Sequence, residues 1–192
     1  MLNLVLFGKP GSGKGTQANF LKDKYDLIHI STGDVFRKNI KNQTELGVKA
    51  QGYTQNGELV PDDVTVSMLE NEIKQNLPCN GFIFDGFPRT LNQADEMNKI
   101  LFKYKMELSA IVALEVDDDL LTDRLLKRGL ISGRSDDQSR EKILTRLNEY
   151  RNKTEPLIDY YSKINRFHSV SGVGEINEIS SRLLDLIESV RL

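Results

Sequence analysis

Gly8-Lys9-Pro10-Gly11-Ser12-Gly13-Lys14-Gly15-Thr16 stands between an apolar run, Leu2-Asn3-Leu4-Val5-Leu6-Phe7, and a helical segment, Gln17–Tyr25. The run is short and bounded by Gly8 and Pro10, so it reads as a buried strand. Glycines in a turn from strand to helix let successive backbone N–H groups face an oxyanion, and the helix start adds the positive end of its dipole. Lys14 then supplies a point charge for the β- and γ-phosphates. The alternative is a turn that only joins strand to helix. Gly8 and Gly13-Lys14 at phosphate-loop spacing, in this context, favour the phosphate reading. One position departs from the ordinary pattern. Gly15 follows the lysine and Thr16 comes one place later, where a Ser or Thr that holds Mg²⁺ normally follows directly. This weakens a switch GTPase or motor ATPase reading.

Outward from this loop, four more strand-like runs appear at Leu27–Ser31, Gly81–Asp85, Ser109–Val116 and Arg166–Val170. Between them the spacing is helical. Val64, Leu69, Ile73 and Leu77 form one stripe after Pro61-Asp62-Asp63, a good helix start. Ile143, Leu147, Tyr150, Leu157 and Tyr161 predict one long amphipathic helix, and Ile176, Ile179, Leu183, Leu186 and Ile187 a C-terminal one. Buried strands alternating with helices predict an α/β fold, a three-layer sandwich on a five-stranded parallel sheet. Two stretches break the rhythm: Ser31–Val60, with two helical segments and a turn punctuated by Gly52 and Gly57, and the polar, strandless Gly129–Ser139. Both read as excursions of the kind that carry mobile lids. The core then comprises 1–30, 61–128 and 140–192, with inserts at 31–60 and 129–139.

The chain has 192 residues, a size expected of one domain, and 39% hydrophobic content can bury a sizeable core. Its 26 Lys+Arg against 28 Asp+Glu leave a net charge of −2, which argues against a polyanion binder and against an acidic disordered tail. Cys79 is the only cysteine, so an intrachain disulfide and a cysteine-cluster zinc site are both excluded. No signal-peptide pattern and no stretch of the ~20 apolar residues needed to span a bilayer is evident. A soluble, cytoplasmic protein that binds neither membrane nor nucleic acid is the expectation.

Gly-x-Pro-Gly-x-Gly-Lys-Gly-Thr-Gln resembles the opening of adenylate kinases and their nucleoside monophosphate kinase relatives. Ser31-Thr32-Gly33-Asp34-Val35-Phe36-Arg37, Asp85-Gly86-Phe87-Pro88-Arg89-Thr90 and Gly133-Arg134-Ser135-Asp136-Asp137 agree in order and spacing, so the resemblance spans essentially the whole chain. It implies a monomeric enzyme with ATP, AMP and ADP as its nucleotides. The insert at 31–60 becomes an NMP-binding subdomain and 129–139 a short lid without zinc.

The resemblance also implies roles. ATP falls to Gly11, Ser12, Gly13, Lys14, Gly15 and Thr16, with Arg124 stacking on the adenine, Arg128 on phosphate and Gly174 presenting backbone to the base. AMP falls to Thr32, Arg37, the backbone of Glu58-Leu59-Val60, Gly86-Phe87-Pro88, Arg89 and Gln93, with Arg134 and Arg146 on the phosphates. Lys14, Arg89, Arg128, Arg134 and Arg146 are the implied catalytic residues. The same pattern allows a cis bond at Phe87-Pro88.

The residue chemistry agrees with those roles. Arginine presents a bidentate fork to a phosphate dianion, and the Gln93 amide can donate and accept at an adenine edge. Asp85 ends an apolar strand, where a carboxylate orients Mg²⁺ and its waters; Asp34 is expected to help behind it. The blander alternatives are an Asp85 turn residue, a solvated Gln93, and arginines paired on the surface with Asp123, Asp136, Asp137 or Glu149. No catalytic histidine is needed, and His29 and His168 read as structural. A UMP/CMP kinase is the nearest competitor, although those relatives usually carry Ala at Thr32 and Asn at Gln93. A GTPase-like switch lacks its guanine motif, since Asn152-Lys153-Thr154-Glu155 is only a near miss.

Overall fold

In the computed structural model, which describes residues 1–191, five strands form one sheet. They are β1 (Leu2–Phe7), β2 (Ile28–Ser31), β3 (Gly81–Asp85), β4 (Ala110–Glu115) and β5 (Phe167–Ser171), in the order β2-β3-β1-β4-β5. Every neighbouring pair is parallel, with Leu4 of β1 opposite Ile83 on one side and Ala110 on the other. Parallel neighbours require crossovers. Helices supply them: α1 (Lys14–Tyr25), α2 (Thr32–Lys41), α3 (Glu45–Asn56), α4 (Asp62–Asn76), α5 (Leu91–Lys103), α6 (Asp118–Ser132), α7 (Arg140–Glu149) and α8 (Pro156–Ser162), with α9 (Ile176–Arg191) after the last strand.

Successive residues of β1 face opposite sides, and both sides are covered. On one face Leu69 and Ile73 of α4, Met97 and Leu101 of α5 and Leu157 and Tyr161 of α8 share a core with Val5, Phe82 and Phe84. On the other, Ala18 and Leu21 of α1 and Ile179, Leu183 and Ile187 of α9 share one with Leu4, Leu6 and Ile83. Each large side chain buried this way contributes about 1.5–3 kcal/mol. These layers also locate the cleft. After β1 the chain turns to the α1 face and after β3 to the α5 face, so a crevice opens between the two strands at their C-terminal ends.

Asn3 is the one polar residue in the β1 run, and it is fully buried. Its Nδ2 donates to the Glu107 carbonyl at 2.8 Å and its Oδ1 accepts from the Phe82 N–H at 3.1 Å, tying β1 to its neighbours at the end away from the cleft. The 31–60 segment carries α2 and α3 over a small core of Phe36, Ala50, Val60 and Met68.

Two elements differ from expectation. The single long helix predicted from Ile143 to Tyr161 is broken into α7, a π-helical turn at Tyr150–Thr154, and α8. Pro156 is the reason: it has no N–H for the i−4 carbonyl, and the chain widens so that Glu155 N–H reaches the Tyr150 carbonyl at 2.9 Å. The polar stretch expected from Gly129 is still helical to Ser132, and Gly133, with φ 65°, makes the left-handed stop. No helix among the described residues is long and apolar enough to cross a membrane.

Candidate active site

A cleft of about 740 Å³ opens at the C-terminal ends of β1 and β3, between the 31–60 segment and the α6–α7 connection. Its floor is the Gly8–Thr16 loop, in which Gly8, Gly11 and Gly13 all take positive φ. At Gly8 a Cβ would lie 2.6 Å from Ser12 Oγ and 2.8 Å from the Leu114 carbonyl, so a side chain is shut out. α1 starts at Lys14 with no acidic residue in its first turn. Its first N–H groups therefore remain available to an anion.

The Lys14 ammonium lies 2.6 Å from the Gly8 carbonyl and 3.1 Å from that of Lys9, wrapped by the loop. Burial pulls its pKa down to about 8; Asp85 opposes this, while Arg89, Arg146 and Arg128 add to it. Lys9 turns away to Asp118 at 2.6 Å.

Asp85 ends β3 beside this loop. Burial pushes its pKa up, but the approach of His29 and the charges of Lys14 and Arg89 hold it below the usual carboxylate range. His29 Nε2 sits 3.5 Å from Asp85 Oδ2. The structural role expected of His29 is therefore incomplete, because the register that sets Ser31 opposite Asp85 brings His29 to the site edge. Asp34 pairs with Arg37 at 2.5 Å and with Arg134 at 3.6 Å, spanning the two inserts.

Residues 86–93 form a tight bend that holds Arg89. Its Nε donates to the Gly86 carbonyl at 2.7 Å, its N–H to Gln93 Oε1 at 2.8 Å, and its carbonyl accepts from Thr154 Oγ1 at 3.0 Å. Phe87–Pro88 is cis. Thr32 Oγ1 donates to the Gly86 carbonyl at 3.0 Å. Gln93 is buried and also donates to Asp62 at 2.7 Å, which leaves its amide one donor hydrogen and one lone pair. Thr154 and Asp62 were not singled out from the sequence. Asp62 reads there only as a helix start, and Thr154 lies in the π-helical turn.

Across the cleft, Arg128 makes a bidentate pair with the fully buried Asp137 at 2.6 and 3.1 Å. Arg146 also binds Asp137, and Asp136 at 2.9 Å. The carboxylate pairing set against the nucleotide role in the sequence is thus real for both arginines, and both still line the cleft. Arg124 directs Nη1 at the Gly172 carbonyl, 3.4 Å away. Glu58, Leu59, Val60, Pro88, Arg134 and Gly174 complete the lining contributed by the expected residues; Phe87 is buried beneath the bend.

Seven basic side chains and five carboxylates line this cleft, in a chain whose net charge is −2. Burial pulls Arg89 down to about 10, with Arg146 and Arg37 contributing, and also lowers Arg146 and Arg134. Burial is the leading cause for all three, and anionic phosphate groups at these guanidiniums would offset it.

For a divalent cation, the available donors are Asp85 and the Thr16 hydroxyl. Nothing obstructs the approach: a Cβ at Gly15 would still clear Asp85 Oδ2 by 3.8 Å. No group of three or more His, Cys, Asp or Glu side chains among the described residues could hold a metal. This set suits Mg²⁺, which keeps most of its waters and takes its other ligands from phosphate.

The adenylate kinase family pattern matches residues 6–166. The chain is similar to the adenylate kinase of Flavobacterium psychrophilum, at 55% identity over 190 residues, covering 99% of this chain and 100% of that protein. It is 54% identical over the same span to that of Flavobacterium johnsoniae. The adenylate kinase of Porphyromonas gingivalis is 46% identical over 191 residues, covering 100% of this chain and 98% of its own. A phosphate loop, an arginine-lined cleft and full-length identity of this order lead to one conclusion: the chain belongs to the adenylate kinase family.

Proposed function

We propose a division of labour within this cleft for the family's reaction, ATP + AMP ⇌ 2 ADP. The convergence of Lys14, Arg89, Arg128, Arg134 and Arg146 on one cavity carries the reading. ATP lies with its phosphates on residues 11–16 and its adenine between Arg124 and the backbone of Gly174. AMP lies under the 31–60 segment, its base at Thr32, Gln93 and the Glu58–Val60 backbone, its phosphate on Arg37 and Arg89.

Phosphoryl transfer asks a protein for alignment and for charge where the γ-oxygens accumulate it. Lys14 follows the γ-phosphoryl group on the donor side, and Arg89 holds the acceptor oxygen in line. Arg128, Arg134 and Arg146 surround the group in transit, with Asp136 and Asp137 fixing Arg146 and Asp137 fixing Arg128. The acceptor is already an anionic phosphate oxygen, so no general base is required, and none of the cleft's residues is assigned that role. Mg²⁺, held through water by Asp85 beside Thr16, would neutralise charge on the β- and γ-oxygens. Residues 31–60 and 129–139 act as acceptor-binding insert and lid. Their contact through Asp34 and Arg134 excludes water, which would otherwise accept the phosphoryl group. The protein works as a monomer in the cytoplasm.

The acceptor is the point on which this reading differs from a UMP/CMP kinase. Initial rates with ATP and each of AMP, UMP, CMP and GMP decide it. AMP is expected to exceed the others by at least about tenfold in kcat/KM, and a preference for UMP or CMP would overturn the acceptor assignment.

A further inference from the structure

The loop between β5 and α9 borders the donor-base end of the cleft, where Gly174 and Ile176 line it. Apart from the buried Gly172 it is exposed, and a loop of this kind would ordinarily be mobile. Side chains from outside it take up its carbonyls instead. Arg182, two turns into α9, donates from Nη1 to the Ser171 carbonyl at 3.1 Å and to the Val173 carbonyl at 2.7 Å. Gly172 accepts from Arg124, and Ile176 accepts from Gln17 at 3.2 Å and Ser180 at 2.9 Å. The Glu175 carbonyl accepts from the Ile179 N–H at 3.1 Å. Among the described residues, Gly174 has the only carbonyl between Ser171 and Ile176 with no hydrogen bond from the protein.

We propose that Arg182 is a positioning residue for the donor nucleotide: it clamps residues 171–173 so that the Gly174 carbonyl is the acceptor offered to the base. This rests on the placement of the ATP adenine beside Gly174. An exocyclic amine donates to such a carbonyl, whereas the 6-oxo group of guanine sets acceptor against acceptor. Arginine suits the task because one planar nitrogen carries two hydrogens, one for each carbonyl. Glu178, 3.8 Å from Nη2, steadies the guanidinium from below and also accepts from the Glu175 N–H at 3.1 Å. Arg182 itself lies outside the cleft lining, so it acts through the loop.

The test compares Arg182→Met, which keeps the stem and removes the donors, with Arg182→Lys. Dissociation constants for ATP and AMP come from calorimetry, and KM and kcat from assays with ATP and GTP as donors. Arg182→Met is expected to weaken ATP about tenfold in both Kd and KM. AMP affinity and kcat at saturating ATP should stay within about twofold, the preference for ATP over GTP should narrow, and the lysine variant should recover part of the loss. Unchanged ATP affinity in Arg182→Met, or a parallel fall in AMP affinity, would overturn the proposal. Binding reads the clamp whether or not turnover occurs, so failure of the clamp is distinct from failure of the reaction, which would show as no ADP from the unaltered protein.

Discussion

Lys14 is asked to be charged in a place that resists charge. Burial, with Arg89, Arg146 and Arg128 nearby, brings its pKa to about 8 against an ordinary 10.5. Between those values the unfolded chain holds a proton that the folded chain lacks. Stability from this group therefore rises with pH across that window, and the burial penalty is present in full below pH 8. Phosphate at the ammonium reverses the shift, so ATP binding is expected to take up protons above about pH 8 and to weaken as pH rises through that value. Calorimetry in two buffers of different ionisation enthalpy measures the uptake, which Lys14→Met should abolish. At Arg89, two hydrogen bonds hold the backbone and one, from Nε to the Gly86 carbonyl, holds the guanidinium. Arg89→Ala is expected to lower kcat by about 10²–10³-fold or more while circular dichroism shows an intact fold. Near-normal turnover would remove Arg89 from the mechanism.

At the scale of elements, the strands were legible because parallel strands covered on both faces are short apolar runs between turn residues, and the five lie within a residue or two of expectation. The helix from Ile143 to Tyr161 was misread because its stripe is continuous in sequence while its two halves serve different cores. Ile143 and Leu147 pack with Leu121 and Leu125, whereas Leu157 and Tyr161 join the β-sheet core. Pro156 was the available signal. The approach of His29 to Asp85 depends on strand register, which no single strand reveals. Gly129 has its own reason to be glycine. A Cβ there would lie 2.5 Å from the Asp137 carbonyl, so the glycine lets α6 carry Arg128 close against the turn that carries Asp137. Gly129→Ala is expected to cost about 1–3 kcal/mol in denaturant unfolding and to reduce turnover by displacing Arg128. Wild-type stability and rate together would show that the close approach is dispensable.

Over the whole molecule, a net charge of −2 conceals a cationic cleft in an otherwise acidic surface. The charge balance that spoke against a nucleic-acid binder is compatible with strong attraction for two small polyanions, because field is concentrated where the sheet topology opens a crevice. The residues that build it come from both ends of the chain and from both inserts, which is why only linked motifs, and no single one, made the site legible. Asp34 and Arg134 form an ion pair between the two inserts at the cleft. The central claim is that this space transfers a phosphoryl group between two adenine nucleotides. Its most direct test is the appearance of ADP, by a coupled assay, from Mg·ATP with and without added AMP. Two ADP should form for each AMP consumed, with almost none in its absence. ADP formed at the same rate without AMP, or none with it, would contradict the account.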